Sequence, residues 1–593
     1  MKLSDYVIDF IVKEGVSQIF EFIGGAITHL LDSTYDRDDI HCVSVHHEQT
    51  AAFAAEAYAR INGRLGVAMA TSGPGALNMV TGIGSCWFDS VPCLFITGQV
   101  NTYEYKFDRP IRQIGFQETD IVSVVKPLTK NAEMVVDAAQ IRYQLEKAVY
   151  LAQSGRPGPV LLDIPMNIQR AQIEPDHLPS FYVSDEYRRL EDSRPTCDSA
   201  ALAEVVQLIG AARRPVILVG GGVRTAGAAA ELRQLVELTG IPVVHSLMGL
   251  DALPGDHPAS FGMIGSYGNR YSNMTLANCD LLLVLGSRLD TRQTGTRPDT
   301  FARAAKKIHV DIDPLELNAK VQVDLAVRCD VREFLAGLNG LLAGGHMYDL
   351  SPWYEVIKGF RAKYPTHGAV SEFAAVDPNL FLGKLAEHSG CGDIICLDVG
   401  QNQMWAAQSF RLKDDQRMLI SGGMGAMGFA LPAALGAAKA APGRRAVVIT
   451  GDGGLQVNIQ DLDTIVNHRL PVKIIVLNNG CLGMVRQFQD MYFDGRQQST
   501  VIGYGCPDLV RVAEAYGIPS LSIASLDDAD QVIASVLASD GPTLLEVKLE
   551  QTTCVNPKLV VNRPIEDMSP HLERKELASD MLIELVEEGD VPK

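Results

Sequence analysis

Apolar residues come along this chain in short, nearly unbroken runs. Many of the runs stop on glycine or a small polar residue: GVAMATSGPG, CLFITGQ, PVILVGGG, DLLLVLGS, KIHVDID, DIICLDVGQ, AVVITGDGG and KIIVLNNG. Runs without polar alternation predict strands buried on both faces, as in parallel sheets. Helical stretches such as 50–60 and 226–238 lie between them. Alternation of this kind predicts an α/β fold of doubly wound parallel sheets. Two polar, proline-bearing stretches interrupt it, 174–199 and about 344–378, and read as connectors, the second partly helical. The chain thus divides into blocks at 1–170, 195–342 and 375–550, followed by a tail, 551–593.

A length of 593 residues agrees with that division, being too great for one core. Composition adds little, since 47% apolar and 21% charged residues are ordinary for a globular protein. Basic residues number 52 against 71 acidic ones, a net charge of −19, which speaks against a nucleic-acid partner. The N-terminal stretch MKLSDYVIDFIVKEG carries charges throughout, unlike a signal peptide, and no apolar run reaches bilayer-spanning length. Eleven scattered cysteines without a CxxC pair read as reduced thiols. Together these predict a cytoplasmic protein with no membrane partner.

Chemistry enters at GDGGLQVNIQ, 451–460, directly after the apolar run 446–450. In an open parallel sheet, ligands bind beyond the carboxyl ends of the strands, and Asp452 stands at such an end. A second strand stops at Asn478-Asn479, so Asp452 and Asn479 lie 27 positions apart, the length of one strand–helix–strand unit. Two oxygen-bearing side chains at one sheet edge suit a hard cation such as Mg2+ that shares its ligands with a diphosphate. The flanking Gly451, Gly453 and Gly454 would let the backbone approach that group closely. His46 and His47 lack an HExxH spacing and predict a polar-network role.

The GDG…NN pattern resembles the thiamine-diphosphate enzymes. The chain as a whole is similar to the acetolactate synthase (acetohydroxyacid synthase) catalytic subunits, through HHEQTAAFAAEAYAR, TSGPGALN, FQETDIV, GRPGPVLLDIP, LMGLDALPGDHPASFGMIG, VGQNQMWAAQ, SGGMGAMGFALPAALGA and NNGCLGMVRQFQ. This resemblance implies a pyrimidine-binding first domain, an FAD-binding-like central domain and a diphosphate-binding third domain. It implies Mg2+ held by the side chains of Asp452 and Asn479 and the carbonyl of Cys481. Glu48 would stand against the aminopyrimidine ring. Gly25, Gly400, Gln401, Asn402, Gln403, Gly425 and Met484 would hold the cofactor, and Met427 would wedge it into its bent shape. Phe116, Gln117 and Lys130 match the substrate entrance, Gln99 matches another active-site position, and Met484 and Phe488 match the substrate pocket.

For FAD, the run Gly220, Gly221, Gly222 in GGGVRTAG is not GxGxxG and is weak by itself. Arg156, Arg288, Arg292, Asp311 and Asp330 match the family's other FAD contacts, arginines suiting the pyrophosphate and aspartates the ribose or adenine edges. In the family this FAD has no net redox part. Glu48 and Asp452 fall in different blocks, and the resemblance implies a site shared between subunits of a homodimer or a dimer of dimers. No segment indicates a regulatory subunit.

The chain departs from the family at several positions. Glu21 and Ile23 replace glycine and proline, Leu77 a threonine, Asn402 a histidine, and Phe488 the tryptophan that shapes the acceptor pocket. The tail, NRPIEDMSPHLERKEL, is also not the usual ending. The reaction implied is decarboxylation of pyruvate and transfer of its two-carbon unit to a second carbonyl, with pyruvate as acceptor giving 2-acetolactate. Two alternatives stay open: another ketone or keto-sugar as acceptor, and an FAD-dependent pyruvate oxidase. Intact Glu48, Asp452 and Asn479 count against a non-catalytic paralogue.

Overall fold

The computed structural model describes residues 1–345, 348–366 and 376–586. The expected start of the third block, at 375, and the end of the tail, 587–593, lie outside the described residues. All eight apolar runs form strands, and they do so within three six-stranded, wholly parallel sheets.

The first sheet holds β1 (Gln18–Phe22), β2 (His41–Ser44), β3 (Gly66–Ala70), β4 (Cys93–Gln99), β5 (Asn131–Met134) and β6 (Val160–Pro165), in the order β2-β1-β3-β4-β6-β5. The central sheet holds β7 (Pro215–Val219), β8 (Val243–His245), β9 (Ser260–Met263), β10 (Leu281–Leu285), β11 (Lys306–Asp311) and β12 (Leu325–Arg328), in the order β12-β11-β10-β7-β8-β9. The third holds β13 (Ile394–Leu397), β14 (Arg417–Ile420), β15 (Ala446–Gly451), β16 (Val472–Asn478), β17 (Ser520–Ile523) and β18 (Thr543–Lys548), in the order β14-β13-β15-β16-β18-β17. The first and third sheets therefore repeat one topology. The central sheet has the strand order of dinucleotide-binding folds, read from its far edge.

The central strands of each sheet, such as β7 and β10, are buried along their whole length, which accounts for their lack of polar alternation. The first and third sheets share one hydrophobic core. They meet through two alanine-rich helices, Glu48–Asn62 and Ala430–Ala440. Small residues allow a close crossing: a Cβ on Gly436 would collide with the Ala54 carbonyl. Phe53 and Phe429 close the same interface edge to face, with centroids 5.4 Å apart. The central sheet has its own core on each face.

Two segments are more integrated than their composition predicts. The connector helix Ser351–Lys363 lies on the central sheet, where buried Trp353 donates from Nε1 to the Pro215 carbonyl at 3.2 Å. The tail returns to the same face, where Ile565, Leu577 and Met581 enter the core. Its strands β19 (Lys558–Leu559) and β20 (Met568–Ser569) pair antiparallel. None of the described helices is long and apolar enough to cross a membrane.

Candidate active site

The order of the third sheet reverses between β13 and β15, and a cleft of about 630 Å3 opens there beyond the strand ends. β15 and β16 are parallel with Gly451 opposite Leu477, so Asp452 and Asn479 leave the sheet at the same edge. Asp452 is buried, and its Oδ2 accepts a hydrogen bond from the Tyr504 hydroxyl at 2.6 Å. Burial pushes its pKa up, and the Tyr504 hydrogen bond opposes that rise. Asn479 donates to Gln401 Oε1 at 2.9 Å, while its Oδ1 accepts the Cys481 N–H at 3.3 Å. The Cys481 carbonyl accepts the Gly483 N–H at 3.0 Å.

Glycine shapes the walls of this cleft. A Cβ on Gly453 would stand 2.8 Å from Leu482, and one on Gly454 would stand 2.7 Å from Asp398 Oδ1. Gly400 precedes the helix Gln401–Ser409, whose first turn lines the cleft with Gln401, Asn402 and Gln403. Asn402 donates to the Asp398 carbonyl at 2.7 Å, and Gln403 Nε2 is buried without a hydrogen-bond partner. Met427 projects into the cleft between Gly425 and Gly428, whose φ values of 66° and 80° suit glycine. Met484 lines it too. A buried carboxylate, an amide oxygen, an orphaned amide donor and a glycine-lined helix N-terminus fit a diphosphate with a hard cation.

A second cleft, about 310 Å3, lies at the switch point of the central sheet and reaches the first block. Arg156, Gly221, Gly222, Arg288, Asp311 and Asp330 line it. Gly220 lies against the Gly286 carbonyl beneath, and Arg292 opens onto the main cleft instead. Arg156 pairs with Asp313 at 3.0 Å and Glu316 at 2.9 Å. Asp330 caps the helix Val331–Leu342 through the Arg332 N–H at 2.8 Å. Burial pushes Asp311 up to about 6. A Cβ on Gly222 would stand 2.7 Å from the Gly286 Cα, so only glycine leaves this floor open.

Family models for thiamine pyrophosphate enzymes match within each of the three blocks: the N-terminal TPP binding domain at residues 1–124, the central domain at 202–338, and the C-terminal TPP binding domain at 398–547. The chain is 39% identical over 581 residues to "Acetolactate synthase 2, chloroplastic" of Nicotiana tabacum, covering 96% of this chain and 85% of that one. It is 38% identical over 547 residues to "Acetolactate synthase" of Mycobacterium bovis, covering 91% and 87%. The chain belongs to the acetolactate synthase family of thiamine-pyrophosphate enzymes.

In this acetolactate synthase relative, the first-block candidates lie away from the main cleft, which takes only Phe88 from that block. Glu48 opens its helix and is buried; Asn78 Nδ2 donates to its Oε2 at 2.9 Å. Gly75 leaves room beside Oε1, which a Cβ would approach to 3.0 Å. His47 caps this helix through the Gln49 N–H at 3.1 Å, and His46 bonds Asp463 at 2.9 Å, the polar roles expected of them. Gly25 is exposed with open space around it, whereas a Cβ on Gly24 would strike Thr71. Gln99 is fully buried and bonds the Thr119 carbonyl at 2.8 Å and Asp163 at 2.9 Å. Phe116 is 87% exposed, and Gln117 has a φ of 64°. Lys130 donates to the Ser154 and Arg156 carbonyls at 2.6 and 2.8 Å, and burial lowers it to about 8. Phe488 lies against Tyr492, with centroids 4.7 Å apart, and does not itself line the main cleft, although Met484 and Val485 of the same helix do.

Four residues of the site carry no motif that singled them out. Asp398 accepts the N–H groups of Val399, Gly428 and Ala430 at 2.8, 2.9 and 3.1 Å, anchoring the Met427 loop beneath Gly454. Its place as an acid directly after a strand is the same signal that marks Asp452. Asp89 of the first block accepts the Gly422 and Gly423 N–H groups at 2.9 and 2.7 Å, clamping the other end of that loop. Glu118 gathers the backbone N–H groups of Lys106, Ile114 and Gly115, presenting Phe116. Tyr504 meets Asp452 from 52 positions away, beyond any local pattern.

Proposed function

We propose that this chain is a carboligase that decarboxylates pyruvate and transfers the two-carbon unit to a second carbonyl, with pyruvate as acceptor giving 2-acetolactate. The observation that carries the reading is the convergence of Asp452, Asn479, Gln403 and the glycine cradle at one switch point, in a chain of this family. Thiamine diphosphate, when bound, supplies the nucleophilic carbon and electron sink that loss of carbon dioxide from a 2-keto acid requires.

The side chains of Asp452 and Asn479 and the Cys481 carbonyl would hold Mg2+. Two side-chain oxygens and one carbonyl leave octahedral Mg2+ short of ligands, which water and the cofactor's diphosphate would supply. Gln403 Nε2 would find its missing acceptor there, and Met427 would support the bent cofactor. Glu48 would handle the proton at the aminopyrimidine through Oε1, since Asn78 occupies Oε2. FAD would sit in the second cleft with Arg288 and Asp311 beside it.

Glu48 and Asp452 would meet only across two chains, which supports a homodimer as the minimal active unit. The exposed Ile23, Leu77 and Phe116 of the first block support the same reading, since they offer apolar surface for a second copy. A cytoplasmic location accords with eleven unpaired thiols. Phe488 in place of a larger ring favours a second acceptor class, ketones or keto-sugars.

Product analysis with thiamine diphosphate, Mg2+, FAD and pyruvate tests the reading. Carbon dioxide and 2-acetolactate in equal amounts are expected. Carbon dioxide release that depends on a quinone or oxygen would replace the reading with a pyruvate oxidase. Release that depends on an added ketone or keto-sugar would move the acceptor to that class.

A further inference from the structure

The chain that follows the helix Gly483–Tyr492 folds back onto the start of that helix. The Leu482 N–H donates to the Thr500 carbonyl at 3.0 Å, and the Thr500 hydroxyl donates to Gln489 Oε1 at 2.5 Å. A tight turn spans 499–504. Ser499 has a φ of 64°, its N–H donates to the Ile502 carbonyl at 3.0 Å, and the Tyr504 N–H donates to the Val501 carbonyl at 3.2 Å. This turn delivers Tyr504 to Asp452.

The Tyr504 hydroxyl is fitted among three neighbours. It donates to Asp452 Oδ2 at 2.6 Å and accepts from Gln456 Nε2 at 3.4 Å. The same Nε2 donates to the Asp452 carbonyl at 3.1 Å. A Cβ on Gly453 would stand 3.3 Å from the hydroxyl, so glycine keeps its approach open. Among the described residues, Tyr504 is the one side-chain donor to the Asp452 carboxylate, joined by backbone N–H groups that include those of Gly453 and Asn479. Asp452 and Gly453 line the main cleft and Tyr504 does not, so anything it does there it does through the carboxylate.

Mg2+ demands near-ideal octahedral geometry, so the direction of each ligand oxygen matters. The Asn479 amide is oriented by Gln401 Oε1, which accepts its Nδ2 at 2.9 Å. A carboxylate has no such distinct ends, and rotation about its last bond is broad and twofold. Tyr504 holds one oxygen and thereby fixes that rotation. Its bond to an ionised oxygen is of the strong, charge-assisted kind. A phenol is itself neutral, so the carboxylate keeps the charge that attracts a cation.

We propose that Tyr504 is a positioning residue of the metal centre, whose hydroxyl sets the Asp452 carboxylate for small, octahedral Mg2+ in preference to larger divalent cations. The role rests on the reading of Asp452 as a Mg2+ ligand. It also ties that ligand to the helix that carries Met484, because the turn bearing Tyr504 is anchored on Leu482 and Gln489.

The test is calorimetric titration of Mg2+ and, separately, Ca2+ into the metal-stripped full chain, with thiamine diphosphate at saturation. Wild type, Tyr504→Phe and Asp452→Ala are compared, and no turnover is needed. In Tyr504→Phe the Kd for Mg2+ rises about tenfold, the size expected when a partner behind a metal ligand is lost. The Kd for Ca2+, whose coordination is more flexible, moves by less than about threefold. Asp452→Ala loses both ions. The thermal midpoint of unloaded Tyr504→Phe stays at that of wild type, since only one hydroxyl is removed. Mg2+ binding that is unchanged or tighter in Tyr504→Phe, with Asp452→Ala still inactive in binding, sinks the role of Tyr504 and leaves the metal reading standing. Equal weakening of Mg2+ and Ca2+ would show a loosened loop and sinks the role as well. Wild-type Mg2+ affinity in Asp452→Ala would overturn the metal reading itself.

Discussion

Asp398 and Asp452 are the same residue type at equivalent strand ends, yet they do different work because of what surrounds each. Asp398 turns inward and receives three backbone N–H groups, so it shapes a loop. Asp452 lines the cleft, where the Tyr504 hydroxyl is its side-chain partner. His245 is a third buried titratable residue, held by the Gly249 carbonyl at 3.0 Å and Ser260 Oγ at 3.1 Å. Burial lowers its pKa from 6.5 to about 4. Between those values the unfolded chain binds a proton that the native chain refuses, so stability falls as pH drops from 6.5 toward 4. His245→Gln removes that component, on the order of 2–3 kcal/mol at pH 4. Thermal midpoints of both proteins, measured across this range, should diverge in slope; parallel curves would show that His245 is not the acid-sensitive group.

The two alanine-rich helices explain how the first and third blocks form one body. Their crossing is close because Gly436 faces the Ala54 carbonyl, leaving no room for a larger side chain. The crossing also fixes the start of the Glu48 helix: Asp461 of the third block accepts the His46 N–H at 2.9 Å and the Thr50 hydroxyl at 2.6 Å. Gly436→Val should overfill the interface and cost about 1–3 kcal/mol. Gly340, on the helix Val331–Leu342 with nothing near its missing Cβ, is the control: Gly340→Ala should stabilise by about 0.5–1 kcal/mol. Denaturant midpoints that move alike in the two variants would count against the close crossing.

Across the whole molecule, Asp452 lines the main cleft and Glu48 does not, and the proposed site needs one of each. Glu48→Gln and Asp452→Ala should each abolish turnover as homodimers. Refolded or co-expressed in equal amounts, they should recover roughly a quarter of wild-type activity. Half the dimers would then be mixed, each with one intact site, as two-fold symmetry dictates. No recovery, with mixed dimers demonstrated by differential tags, would place both residues in a single-chain site.

The eight strands named from apolar runs alone were legible because strands buried on both faces hold few polar residues. Short or half-exposed strands such as β12 and β17 left no such trace, since their outward positions accept any residue. The Asp452–Asn479 pair was legible for a related reason: parallel strands one crossover apart must end on the same edge. Trp353 and Leu577 sit in stretches that read as linker and tail, and only docking onto the central sheet makes them core. The clamp of Asp89 on Gly422 and the Tyr504–Asp452 bond each join residues far apart in the chain. Local pattern carries the period of an element and the chemistry at its end. Which ends meet is decided when the sheets and the tail close around one another.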